Sequence, residues 1–184
     1  MQIVVGHKQW RQKRMDKASP GATVVDVTSK AEMPWVRFSP FYPHGNIPIP
    51  FSNGAMGQSI EGIWQGLKVF DSADIDSTTF ENTTMKRLKR TERRFGKTRG
   101  HRKGINGDEL LDYLTARLQI YLPIYRFVLD NYLQTELNQL RAIIQQTPLI
   151  LLDYETNIDV YNLSKPLSHA GLVKAYLEER YPSE

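Results

Sequence analysis

The sequence predicts an α+β fold, mostly helical, with a small β-sheet. Two short runs, residues 22–28 and 149–152, have the length and composition of strands. Residues 59–70, 109–146 and 170–180 place apolar side chains at helical spacing. Strands mixed with dominant helices are the pattern of an α+β domain. A chain of 184 residues suits one domain.

Each element has a local reason. Residues 1–6 are briefly apolar, and His7, Lys8, Arg11, Lys13 and Arg14 follow at once, so no secretory leader is expected. Residues 22–28 (ATVVDVT) are β-branched and partly alternating, which reads as a strand. Trp35–Phe38 is a second strand candidate. Pro40, Pro43, Pro48 and Pro50, with His44, Gly45 and Asn46 among them, then break regular structure. A loop this rich in proline and aromatics is costly to order unless it lines something.

Residues 59–70 predict a helix. Ser59 suits the N-cap, Glu61 sits in the first turn, and Ile60, Ile63, Trp64 and Leu67 form an apolar face. Residues 71–84 are polar and read as a loop with a short helix. Residues 86–94 predict a helix closed by Gly96. Asp108 is the expected cap of the longest helical pattern, 109–146, which Pro123 should kink or split. Residues 149–152 read as a short buried strand and 170–180 as a final amphipathic helix. No internal repeat or low-complexity linker interrupts the chain. The expectation is a single domain over 1–184, with a core at 35–180 and an N-terminal strand extension at 1–34.

Composition narrows the function. Apolar residues make up 40%, enough for a real core. No apolar run reaches the roughly 18 residues of a membrane span. The absence of cysteine excludes disulfides, thiolate metal sites and a cysteine nucleophile. The cytoplasm is the expected compartment. His7, His44, His101 and His169 lack metal-ligand spacing, so neither metal nor cofactor is expected. His44 is retained as a candidate site residue because of its loop.

Charge is concentrated. The net charge is +4, yet Lys86, Arg87, Lys89, Arg90, Arg93, Arg94, Lys97, Arg99, Arg102 and Lys103 crowd one segment with only Glu92 against them. Such a run reads as a solvated face, as a phosphate clamp or as a nucleic-acid footprint. Around residue 60, Glu61, Gln65 and Lys68 fall at i, i+4 and i+7, on one face if the helix is continuous. That stripe is either a polar wall for a ligand or an ordinary solvated face. Gly62 and Gly66 lie beside it, where the lack of a side chain allows close approach by a ligand or by another backbone.

These motifs resemble a known family. Phe38-Ser39-Pro40-Phe41-Tyr42-Pro43 is similar to the aromatic FSNFYP-type opening of the NADAR family. Ser59, Glu61, Gln65 and Lys68 follow at the spacing of its Ser-x-Glu-x-x-x-Gln-x-x-Lys helix. Residues 94–100 loosely resemble its basic segment, and Asn162-Leu163-Ser164-Lys165 its closing segment. The resemblance covers residues 35–180. Pro40 replaces the usual Asn, Gly62 the usual His, and the late Asp-x-x-Trp-Gly segment is not recognisable.

What the resemblance implies is an N-glycosidase-like hydrolase acting on an ADP-ribosyl or ribosyl-phosphate N-glycosidic bond. Its partner would be an ADP-ribose-like small molecule or a modified nucleic acid. Glu61 would direct water or stabilise the oxocarbenium ion, Lys68 would pair with it or touch the sugar or phosphate, and Gln65 would orient the sugar. Asp159, ahead of Asp153, would be the second carboxylate. Phe41, Tyr42, Trp64 and Trp35 would stack a base, with Ser59 nearby. Arg94, Lys97 and Arg99 would hold phosphate. Two other readings remain: an idle module that binds nucleotides derived from NAD, acting as a sensor or sponge, and a nucleic-acid-binding protein working through residues 86–103.

Overall fold

A computed structural model of the chain describes residues 2–182. In chain order the strands are β1 (Ile3–His7), β2 (Thr23–Asp26), β3 (Ile47–Pro48), β4 (Met56–Gly57), β5 (Lys68–Phe70), β6 (Thr98–Arg102), β7 (Leu110–Leu111) and β8 (Leu149–Asp153). The helices are α1 (Gln12–Ala18), α2 (Ile60–Gly66), α3 (Glu92–Phe95), α4 (Tyr113–Ala116), α5 (Leu122–Tyr132), α6 (Gln134–Gln146) and α7 (His169–Leu177). The fold class is α+β, as the sequence predicts. Backbone contacts divide the described residues into two compact units, 2–39 with 129–182, and 40–128.

The first unit is built on a parallel sheet of order β1-β8-β2. β8 pairs with both neighbours, Ile3 opposite Leu149 and Thr23 also opposite Leu149. All five β8 residues are buried, which is why the run LILLD lacks alternation: a central parallel strand is covered on both faces. Both outer strands come from the first 34 residues. That segment therefore supplies both partners of β8 in one sheet. α7 packs against β1 and β8, and α6 buries Leu137, Leu140 and Ile144. Glu136, buried in the first turn of α6, is bonded by Arg37 at 2.5 Å.

The second unit holds a short antiparallel pair, β3-β4, and an antiparallel sheet of order β5-β6-β7. Around them lie α2, α3, α4 and the start of α5.

Four predicted elements change. Trp35–Phe38 forms a 3-10 helix rather than a strand, with Phe38 buried. The helix expected over 59–70 ends at Gly66, and its last residues become β5. Residues 86–91 are not helical; only the last turn before Gly96, whose φ is 81°, survives as α3. The long pattern from 109 to 146 starts as strand β7. Its helical cap is Asp112, whose carboxylate accepts from Thr115 N–H at 2.9 Å, not Asp108. The split expected at Pro123 does not fall there: α5 runs through it from Leu122 to Tyr132. Pro123 has no N–H to give and its ring crowds the preceding turn, and Arg117–Tyr121 widen into a π-helical turn just before it. The break itself comes at Leu133, with φ −118° and ψ 12°.

Candidate functional site

α2 is the best-defined part of the site and every residue in it is buried. Ser59 caps it: its hydroxyl oxygen accepts from Gly62 N–H at 3.0 Å, and its side chain is committed there rather than facing a ligand. Glu61 N–H donates to Pro40 C=O at 2.8 Å, which ties the aromatic loop to the first turn. That loop carries Phe41 and Tyr42, both half-buried, with the Tyr42 and His44 rings 4.8 Å apart.

Glu61 and Gln65 keep the predicted i, i+4 relation. Gln65 Nε2 donates to Glu61 Oε1 at 2.9 Å, and both side chains are buried, Glu61 at 9% exposure and Gln65 at 6%. Burial of a carboxylate and an amide on one helix face argues against the solvated-face reading. Lys68 belongs to β5, so it joins the site from a strand rather than as the next turn of a helix. It remains in electrostatic contact with Glu61. Burial holds its ammonium below the ordinary lysine value; Glu61 pulls it back up, and Arg90 pushes it further down.

The glycines serve packing. A Cβ on Gly62 would stand 2.5 Å from Thr79 C=O, and one on Gly66 would collide with the Phe80 ring. Thr79 Oγ1 donates to Gly62 C=O at 2.9 Å, and Asp76 N–H to Gly66 C=O at 2.8 Å. The close approach beside α2 is thus made by the Thr79–Phe80 backbone and ring. For the same reason no histidine side chain fits at position 62 without moving Thr79.

Two residues of this unit carry no sequence signal. His101 lies opposite Lys68 in the β5–β6 register, is fully buried, and stacks on Trp64 with centroids 3.8 Å apart. Among the described residues neither ring nitrogen has a hydrogen-bond partner. Burial, reinforced by Lys68, pushes His101 down to about 3, so the ring is neutral at any physiological pH. Trp64 meets the edges of Tyr113 and Tyr121 as well. Arg90, from the basic run, points inward. Its guanidinium donates to the carbonyls of Gln65 (3.2 Å), Lys68 (2.6 Å) and Asp74 (2.5 Å), and its backbone N–H to Gln65 Oε1 (3.1 Å). A spacing pattern cannot distinguish this cation from the exposed ones around it.

Of the expected phosphate contacts, Arg94 and Lys97 are exposed, and Arg99 is ion-paired with Asp71.

The two expected second carboxylates lie in the first unit, where their environments differ. Asp159 is exposed, and its Oδ1 accepts from Tyr161 N–H at 2.9 Å in a turn. Asp153, at the end of β8, is buried. Its Oδ2 accepts from Ser168 Oγ at 2.7 Å and lies 3.0 Å from His169 Nδ1. His169 Nε2 is 2.8 Å from Val27 C=O. Burial alone would raise Asp153, but His169 and the hydroxyl and N–H donors of the α7 N-terminus outweigh it and bring it to about 2. Burial would likewise lower His169; Asp153 and Val27 C=O overcome it, and its value is raised. Both acceptors of His169 lack protons, so both ring nitrogens carry one. Asp153 is bound up in this pair. Trp35, in the same unit, is half-buried 6.4 Å from Phe38.

Among the described residues no helix is long and apolar enough to cross a membrane. Residues 7–173 match a family of unknown function, DUF6939. No curated protein and no solved structure matches the chain.

Proposed function

We propose that this chain, which belongs to that family of unknown function, is an N-glycosidase-like hydrolase that acts on an ADP-ribosyl or ribosyl-phosphate N-glycosidic bond. The observation that carries the reading is the buried Glu61–Gln65 pair with Lys68 in its field. A carboxylate costs several kcal/mol to bury and is kept where the charge has a use.

In this reading water adds to the ribose C1 while the C1–N bond breaks, and the base departs with the bonding electrons. The sugar passes through an oxocarbenium-like state. Glu61 faces that positive charge and takes a proton from the incoming water; the proton passes on to the departing base. Gln65 holds Glu61 in one orientation through its amide N–H. Lys68 offers a donor to a sugar hydroxyl or phosphate oxygen, and its weakened ammonium loses less hydration in doing so. The family resemblance in the Ser59, Glu61, Gln65 and Lys68 spacing supports the same assignment. Because Asp153 is paired with His169 and Asp159 holds a turn, Glu61 is the only carboxylate given a chemical role.

The test uses an ADP-ribosylated nucleoside and a ribosylamino pyrimidine, with release of free base followed by chromatography. The wild-type protein releases base, and Glu61→Gln slows release by about 100-fold or more. The amide keeps the oxygen that accepts from Gln65, and a cooperative melting transition shows that the variant is folded. Release at the same rate in the variant would sink the assignment.

One observation favours a second reading. Thr79 occupies the space that a histidine at position 62 would need. A non-catalytic module would release no base, and would bind ADP-ribose in a calorimeter equally well with or without the Glu61→Gln substitution.

A further inference from the structure

Ten cations stand between positions 86 and 103 against one acid, and outside that run acids outnumber bases. The fold sorts the ten. Arg90 is internal, and Arg99, Arg102 and Lys103 are ion-paired with Asp71, Asp74 and Glu109. Lys86, Arg87, Lys89, Arg93, Arg94 and Lys97 are all exposed. Among the described residues no carboxylate oxygen lies within 4.0 Å of the charged nitrogens of these six, although the backbone N–H of Lys97 donates to Asp71 Oδ2 at 2.8 Å.

The segment that bears them is held in place. Leu88 and Arg90 are buried at 1% and 8% exposure, while their neighbours Arg87 and Lys89 are exposed. Asn82 Nδ2 donates to Lys86 C=O at 3.0 Å, and Lys86 N–H donates to Thr84 Oγ1 at 3.3 Å. Met85 and Arg87 adopt φ of 58° and 59°, a region that non-glycine residues occupy only when the surroundings impose it. Like charges are therefore kept together on an ordered backbone, an arrangement that repels itself and that an extended polyanion relieves.

The neighbours of this cluster narrow the polyanion. Lys89 Nζ lies 5.9 Å from the centroid of Phe41, and Arg94 stacks on Phe95 at 4.9 Å. Cations interleaved with aromatic faces suit phosphates alternating with unpaired bases. A lipid surface calls for exposed apolar side chains to insert. Within the cation-bearing segment Leu88 is buried, and Met85 and Phe95 are half-buried, so it offers none. We infer that residues 86–97 and Phe41 form a docking surface for a single-stranded polynucleotide, with phosphates on the six exposed cations and a base against Phe41. The surface is independent of the chemistry assigned to Glu61.

The probe is a fluorescein-labelled oligothymidylate of about twenty nucleotides, followed by anisotropy from about 50 to 200 mM salt. Six phosphate contacts on a single strand give a slope of log affinity against log salt of about −4. The triple variant Lys86→Gln, Arg93→Gln, Lys97→Gln halves that slope, and its melting temperature shows that it is folded. An abasic strand of the same length binds about tenfold more weakly, because it keeps the phosphates and lacks the stacking bases. An unchanged slope in the triple variant overturns the inference. So does equal affinity for the abasic strand, or equal binding to phosphatidylserine vesicles. Loss of base release in Glu61→Gln with oligothymidylate binding intact leaves it standing.

Discussion

His169 lies between Asp153 Oδ2 and Val27 C=O, so folding of the first unit takes up a proton at its ring. The sign follows from the raised value. This stabilisation is fully present below about pH 6.5, the ordinary histidine value, and is lost as pH rises through the higher value of the folded protein. Asp153 works in the opposite direction: its contribution is present above about pH 3.9 and is lost as pH falls through about 2. Melting temperatures should therefore decline from neutral to alkaline pH, and Asp153→Asn should remove most of that slope. The substitution leaves a buried imidazole without its counter-charge and should cost about 3–5 kcal/mol in denaturant unfolding. A melting temperature independent of pH above neutrality would contradict the pairing. At this same scale Glu61 was readable from its place in a helix with Ser59 and Gln65. His101 was not, because the stack on Trp64 and the pairing with Lys68 arise from residues far apart in sequence.

Elements show where local pattern and packing part. In α2, alanine at Gly66 would gain about 1 kcal/mol of helix propensity. Its methyl group, however, would collide with the Phe80 ring and Thr79 Oγ1. Overpacking of this kind costs about 1–3 kcal/mol. Gly66→Ala is expected to lower stability on balance, measured by urea unfolding; a more stable variant would mean that the ring moves aside at no cost. The cap at Ser59 and the buried strand β8 were legible because each depends on residues adjacent in sequence. The end of α2 was not. Nothing in residues 66–70 forbids helix; Lys68–Phe70 turn to strand because β6 supplies a hydrogen-bonding partner. The same reason converts Leu110–Leu111 from the start of a helix into β7. Pro123 marked a disturbance that its missing N–H guarantees, whereas the widened turn it produces upstream depends on the neighbouring turns.

Across the whole molecule the charge is unevenly placed: the chain is basic only because of one segment. Six exposed cations, whose charged nitrogens have no carboxylate oxygen within 4.0 Å among the described residues, repel one another, and salt screens that repulsion over a Debye length of about 10 Å at 0.1 M. Raising salt from about 10 to 200 mM should therefore raise the melting temperature of the wild-type protein, and should do so less in Lys86→Gln, Arg93→Gln, Lys97→Gln. An equal response in both would show that the cations lie too far apart to interact.

Amino-acid order alone determined the α+β class, the cap at Ser59, the Glu61–Gln65 pair and the location of the positive charge, because composition and short-range spacing are local properties. Tertiary structure alone decided that Lys68 reaches the site from a strand, that Arg90 faces inward while its neighbours stay in water, that Thr79 fills the space beside Gly62, and that Asp153 belongs to His169. Each of these depends on which segment, distant in sequence, packs against the residue, and spacing along the chain carries no record of that.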